Sequence, residues 1–115
     1  MRDLLAVYGT LLRGAAAWEL LRPHVAEHLG ELVLPGELYD TGRGYPAFRW
    51  GAGEVPAQLV RLADPAAALP VLDEYEGPEY ERAVLALPDG RECWVYTWLL
   101  PVAGMRPLPG GWLAR

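Results

Sequence analysis

The alternation of apolar and polar positions divides the chain into short strands and two helical segments. The apolar run over residues 3–8 predicts a strand that is buried on both faces. Period-two alternation predicts further strands over 31–39, 54–62, 80–87 and 91–100, the last two joined by a hairpin turn at 88–90. Apolar residues at helical spacing predict one helix over 15–29 and another that begins at Asp64-Pro65 and ends at Glu76.

Proline and glycine locate the irregularities in this pattern. Pro23 lies inside the first helical segment, so we expect either a kink there or a helix that begins only at that residue. Pro35-Gly36 predicts a bulge or a bend within the strand over 31–39, and Gly51-Ala52-Gly53 predicts a turn. The segment after residue 100 is rich in proline and glycine and is predicted to be irregular.

Several short, bent strands and only two helices predict an α+β fold, a small mixed β-barrel with two flanking helices. A parallel sheet built from alternating βα units would need more helical segments than the pattern contains. At 115 residues the chain is predicted to form one domain over 1–115, with an irregular C-terminal tail over 101–115.

Composition removes several classes of partner and chemistry. The net charge of −5 argues against nucleic acid as the main partner. No apolar run approaches the roughly 20 residues of a membrane span, so no membrane partner is predicted. No signal-peptide pattern follows Met1 and Cys93 is the single cysteine, so we expect a cytoplasmic protein. The sequence contains no serine, which excludes a serine nucleophile.

Two features that suggest metal or thiol chemistry have simpler explanations. His24 and His28 are four residues apart, but no third ligand stands at a supporting spacing, and we interpret them as surface histidines. Cys93 lies in the middle of a predicted strand with no histidine close in sequence, and we interpret it as an inert thiol. The prediction is therefore a protein with no metal and no cofactor.

Glu76 is the candidate for acid–base chemistry. Gly77-Pro78 stops the second helix, so this glutamate is fixed at its root and faces whatever lies beyond the helix end. A carboxylate near the C-terminal end of a helix dipole is disfavoured, which suits a carboxyl group with a raised pKa. The alternative is a solvated acidic helix end.

Two loops accompany it. Tyr8-Gly9-Thr10-Leu11 follows the first strand, and its glycine, with Gly14 further on, permits a tight path whose N–H groups can face a ligand. An ordinary strand-to-helix loop explains the same glycines. Gly44-Tyr45-Pro46 holds an aromatic side chain in restricted geometry, and Tyr45 could serve equally in a pocket or in packing.

In this order and at these separations, the two loops and the segment 72–77, followed by Tyr80 and Arg82, resemble the gamma-glutamylcyclotransferase-like family. The resemblance covers roughly residues 4–100 and is greatest to the short branch that includes gamma-glutamylamine cyclotransferases. It implies a mixed barrel with a pocket at one mouth, Glu76 as catalytic residue and Arg82 as a support. The residues that it implies for binding a small gamma-glutamyl molecule are Tyr8, Gly9, Thr10, Leu11, Tyr45 and Tyr80. The first loop differs from the Gly-Ser-Asn form of the glutathione-related branches, which shifts the expected substrate away from long gamma-glutamyl peptides.

The predicted reaction cyclises a gamma-glutamyl amine or amino acid to 5-oxoproline and releases the free amine. The substrate's own α-amine attacks its γ-carbonyl group, so neither a protein nucleophile nor a metal is needed, and one carboxyl group can serve as general acid and base. Glu74 and Glu79 are interpreted as neighbours without a role in this chemistry.

Other functions remain open at this stage. The same reaction would remove a gamma-glutamyl protecting group in a biosynthetic pathway. A non-catalytic small-molecule binding module on the same barrel, or a protein-interaction domain that uses exposed Trp and Tyr residues, are the alternatives outside catalysis. Both a monomer and a homodimer are compatible with the sequence.

Overall fold

A computed structural model describes residues 2–115 of the protein. Six strands form one curled sheet, a half-barrel, in the order β4-β5-β1-β3-β2-β6. The strands are β1 (Leu4–Val7), β2 (Val25–Asp40), β3 (Pro46–Leu62), β4 (Tyr80–Ala86), β5 (Glu92–Trp98) and β6 (Arg106–Pro107). The helices are α1 (Trp18–Leu21), continued by a 3₁₀ turn at Arg22–His24, and α2 (Pro65–Glu76). The predicted α+β fold with two helices is confirmed.

The order of the strands explains the curl of the sheet. The long strands β2 and β3 form an antiparallel hairpin, and β4 and β5 form a second one. Strand β1 joins the two hairpins, antiparallel to β3 and parallel to β5, and all four of its residues are buried, as its continuous apolar run predicts. The core fills the concave side, with Leu5, Leu72 and Val95 among its fully buried side chains.

The first predicted helix is wrong at its start, because residues 15–17 are not helical, and at Pro23, where the helix neither kinks nor begins but has already ended. Helix α1 has four residues, and Val25 already begins β2 and pairs with Leu62 of β3. Pro23 has no N–H group to continue the helix, so the chain tightens into the 3₁₀ turn there. Pairing with β3 then decides the conformation of the following residues, although apolar residues recur at helical spacing through Leu29.

The turn predicted at Gly51-Ala52-Gly53 is also wrong, because these residues lie inside β3. They are the extra residues of β3 opposite the step between Pro35 and Gly36, where the register shifts. The irregularity predicted at Pro35-Gly36 is present, but its extra residues lie on β3 and not on β2. A Cβ atom on Gly53 would lie 2.7 Å from the carbonyl oxygen of Gly36, so glycine is required by close backbone approach.

Helix α2, the hairpin of β4 and β5 and the C-terminal tail agree with the sequence pattern, whereas β3 begins at Pro46 and not at residue 54. Asp64 caps α2, since its side chain accepts a hydrogen bond from the N–H group of Ala67 at 3.4 Å. The tail after residue 100 is mostly irregular, but β6 pairs with β2, and Leu108 and Trp112 are buried in the core. Among residues 2–115, no helix is long and apolar enough to cross a membrane.

Candidate active site

One end of the half-barrel gathers chain segments that are far apart in sequence. Because β1 and β5 are parallel, their C-terminal ends lie at the same edge of the sheet, and the antiparallel strand β4 begins there. Strand β3 is longer than β1, and its N-terminal part extends beyond the residues that pair with β1. Its first residue, Pro46, packs against Gly9. The C-terminal end of α2 lies at the same edge, so Glu76 and the loop over 8–11 line one cavity.

Glu76 is the last residue of α2 and is half-buried in the wall of this cavity. Burial, the larger cause, and the negative charge of Asp73 together raise the pKa of its carboxyl group from 4.5 to about 7. No residue of 2–115 donates a hydrogen bond to this carboxyl group. Its oxygen atoms therefore stay available to a ligand, and the group exchanges a proton near neutral pH.

The loop after β1 presents unused donors to the same cavity. Within the described residues, the backbone N–H groups of Gly9, Thr10 and Leu11 donate no hydrogen bond to the protein. The loop is anchored by its carbonyl groups instead, since Leu12 donates to Gly9 at 3.0 Å and Ala17 donates to Thr10 at 2.8 Å. Free N–H groups beside a cavity are suited to an anionic oxygen.

The first residue of β3 explains the glycine of this loop. A Cβ atom on Gly9 would lie 2.6 Å from Cγ of Pro46, so the two loop motifs pack against each other without room for a side chain. The hydroxyl group of Tyr80 donates a hydrogen bond to the carbonyl oxygen of Pro46 and ties β4 to the same contact. Tyr8 lies deeper, where its hydroxyl group donates to the carbonyl oxygen of Tyr96 at 2.7 Å.

The cavity has an inner and an outer part. The inner part, about 20 Å³, has room for about one water molecule and lies between the 8–11 loop, Pro46 and Glu76. The outer part, about 350 Å³, is open to solvent and shares four residues with the inner part, namely Thr10, Tyr45, Glu76 and Tyr80. Of the two parts, only the outer one has room for a ligand of several atoms.

Aromatic and charged side chains form the outer wall. Tyr75 and Thr10 bridge helix and loop through a hydrogen bond of 2.7 Å between their hydroxyl oxygens. Glu79, predicted to have no role, lines the outer cavity, accepts a hydrogen bond from Tyr45 at 3.1 Å and pairs with Arg43 at 2.9 Å. Gly77-Pro78 turns the chain so that Glu79 lines the outer cavity together with Glu76, and the absence of a role for Glu79 in the chemistry stays a prediction.

The structure brings together the proposed catalytic and substrate-binding residues, and their individual roles stay predictions. Glu76 and the six proposed substrate-binding residues all line the inner cavity. Glu74 is exposed, as is expected for a residue on another face of the helix. The thiol of Cys93 is buried in the core, and burial raises its pKa to about 11.

Two residues at the site were missed by sequence reasoning. Asp73 precedes Glu76 by three residues, a spacing that places both on one face of a helix, so the sequence did contain a signal for it. Tyr96 carried no such signal, because only the parallel pairing of β1 with β5 brings it to the cavity. Among residues 2–115, no three His, Cys, Asp or Glu side chains are arranged to hold a metal ion.

The fold and the site define a class of protein: a small curled sheet with a proton-exchanging carboxyl group beside free backbone N–H groups at one end. The sequence model of the family described as gamma-glutamyl cyclotransferase, AIG2-like, matches residues 5–114, and the chain belongs to this family. The family resemblance predicted from the motifs is confirmed.

Solved structures share this fold. The chain is 29% identical to protein ytfP from Escherichia coli, with a TM-score of 0.68 over 93% of this chain and 92% of that one. It is 21% identical to c4763, a protein specific to uropathogenic E. coli, with a TM-score of 0.76 over 93% and 87% of the two chains. An AIG2-like protein from Mus musculus is 20% identical, with a TM-score of 0.71 over 94% and 86%. No curated protein matches the chain significantly.

Proposed function

We propose that the protein is an enzyme of the gamma-glutamyl cyclotransferase type, which converts a gamma-glutamyl amine or amino acid into 5-oxoproline and a free amine. One observation carries the proposal: the Glu76 carboxyl group, with a pKa of about 7 and no hydrogen-bond donor among residues 2–115, lines a cavity with the unpaired N–H groups of the 8–11 loop. Membership of the family supports this class of reaction.

The first half of the reaction closes the ring. The substrate's α-ammonium group loses one proton to solvent, and the free amine attacks the γ-carbonyl carbon. Glu76, as carboxylate, takes the second proton from the attacking nitrogen as the new C–N bond forms. The carbonyl electron pair moves onto oxygen, and in this proposal N–H groups of Gly9, Thr10 and Leu11 stabilise it. A donor of this kind contributes about 3 kcal/mol.

The second half expels the amine. The protonated Glu76 gives its proton to the leaving nitrogen while the carbonyl group re-forms and the old C–N bond breaks. The carboxylate is then restored, so no protein atom is consumed. A pKa of about 7 suits both proton transfers, because the carboxyl group then both accepts and releases a proton near neutral pH. Holding the substrate chain in its ring-closing conformation supplies much of the remaining acceleration.

The test is 5-oxoproline release from a panel of gamma-glutamyl amines and gamma-glutamyl dipeptides. Glu76→Gln keeps the size of the side chain and removes the proton carrier, so we expect release to fall by roughly 10²–10⁴-fold. Glu74→Gln is the matched control, because it removes the same charge two residues earlier on an exposed face, and it should leave release unchanged.

Two results would overturn the proposal. Equal release by wild type and Glu76→Gln would exclude Glu76 as the proton carrier. Absence of release from every substrate, combined with saturable binding of the same molecules, would favour the non-catalytic binding module on this fold.

A further inference from the structure

Asp73 is placed to act on Glu76. It lies one helical turn earlier, so both side chains project from the same face of α2. Its carbonyl oxygen also accepts the N–H group of Gly77 at 3.0 Å, which closes the helix directly after Glu76. A single residue therefore accepts the hydrogen bond at the helix end with its backbone and carries a carboxyl group one turn from the candidate catalytic group.

Three hydrogen bonds from residues of β4 and β5 hold the Asp73 carboxylate. Arg82 of β4 donates from Nε to Oδ1 at 2.9 Å and from Nη2 to Oδ2 at 3.1 Å, a two-point contact that fixes orientation as well as charge. Tyr96 of β5 donates its hydroxyl group to Oδ1 at 2.7 Å. The guanidinium group of Arg82 is itself seated over the ring of Trp94, 4.1 Å from its centroid.

These contacts keep Asp73 ionised. Partial burial acts to raise the pKa of Asp73, but the hydrogen bonds from Arg82 and Tyr96 outweigh it, and the pKa lies below its usual value. The carboxylate consequently carries its charge throughout the pH range in which Glu76 titrates, near 7.

We propose that Asp73 is a positioning residue for Glu76: clamped by Arg82 and Tyr96, it holds a permanent negative charge one helical turn from the catalytic carboxyl group and fixes the end of α2 against β4 and β5. The inference rests on the acid–base function proposed for Glu76 and deepens it. None of the predicted substrate-binding residues takes part in this clamp.

The other ionisable groups around Glu76 do not provide this charge. Three tyrosines lie around it, Tyr8 at the end of β1, Tyr80 on β4 and Tyr96 on β5. Burial is the largest cause that raises the pKa of all three hydroxyl groups, and for Tyr8 and Tyr80 the second cause is the charge of Glu76. They are therefore neutral where Glu76 titrates. Glu79 lies in the outer wall, but its charge is not among the causes that raise the pKa of Glu76. Among residues 2–115, Asp73 is the charged group that raises the pKa of Glu76.

The test compares Asp73→Asn, which removes the charge and keeps the size, with Glu74→Gln, which removes one charge from the next residue of the same helix. The readout is the pH dependence of the ¹³C chemical shift of the Glu76 carboxyl carbon at low salt, assigned by its disappearance in Glu76→Gln. In Asp73→Asn we expect the pKa of Glu76 to decrease to a value between 4.5 and 7. It should not reach 4.5, because burial, the larger cause of the raised pKa, remains. In Glu74→Gln it should stay near 7.

A second measurement needs no variant. Asp73 is half-exposed, so salt should screen its charge, and the Debye length falls to about 3 Å at 1 M. We expect the pKa of Glu76 in the wild type to fall with salt towards the Asp73→Asn value, and the pKa in that variant to respond less.

The outcomes separate this inference from the proposed reaction, because the titration requires no turnover. An unchanged Glu76 pKa in Asp73→Asn, or an equal fall in Glu74→Gln, would overturn the coupling. A fall confined to Asp73→Asn supports it, and if the wild type then releases no 5-oxoproline, the reaction is refuted while the coupling stands. If the wild type turns over, the low-pH limb of its kcat/KM profile should move to lower pH in Asp73→Asn. Loss of activity without that movement would mean that Asp73 has a merely structural role.

Discussion

Replacing Glu76 with glutamine should stabilise the fold at alkaline pH while it removes turnover. The carboxyl group has a pKa of about 7 in the folded protein against 4.5 for the ordinary group, so between these values the folded state binds more protons than the unfolded state. The free energy of unfolding of the wild type therefore falls as pH rises through this range. The glutamine variant has no such group and escapes the fall.

The magnitude follows from the same two pKa values. They differ by 7 − 4.5 = 2.5 pH units, and each unit corresponds to about 1.36 kcal/mol, which gives about 3 kcal/mol as an upper limit for a half-buried group. Any constant effect of the amide on packing cancels when the variant is compared with the wild type at two pH values. The pH-dependent part of the difference then belongs to the carboxyl group.

Urea unfolding measures this difference, since the free energy of unfolding is linear in urea concentration. One series is run below 4.5 and one above 7, on wild type, Glu76→Gln and the control Glu74→Gln. The advantage of Glu76→Gln over wild type should grow by up to about 3 kcal/mol from the first condition to the second, whereas Glu74→Gln should show no such growth. An advantage that is equal at both pH values would refute the reasoning, because it would mean that Glu76 titrates alike in both states.

Two further predictions concern the pH profile and the loop contact. Because the carboxylate form of Glu76 is the base, kcat/KM for 5-oxoproline release should rise with pH through about 7, and a profile that falls there would assign the limb to another group. Gly9→Ala places a Cβ atom 2.6 Å from Cγ of Pro46, which should cost about 1–3 kcal/mol in urea unfolding and most of the turnover. Pro46→Ala in the same chain should restore part of both losses, and strict additivity in this double-mutant cycle would show that the contact is not the cause.

The local sequence pattern was sufficient to predict those elements whose conformation in the fold matches their local preference. The Asp64 cap, the stop at Gly77-Pro78 and the buried strand β1 all follow from short-range chemistry. The pattern failed after Pro23, where helical spacing continued but pairing with β3 supplied the hydrogen bonds instead. It failed again at Gly51-Ala52-Gly53, because two glycines can signal a turn or a close approach, and only the partner strand distinguishes these.

For the site, the sequence alone determined which carboxyl group ends a helix, which loop is free to turn tightly, and the family to which these motifs point. Tertiary structure decided what surrounds them. The parallel placement of β5 beside β1 brought Tyr96 to Asp73, and the curl of β3 brought Pro46 onto Gly9. The charge of Asp73 is local to the same helix, but burial, the larger cause of the raised pKa of Glu76, depends on atoms brought together from separate strands, which no local run of residues encodes.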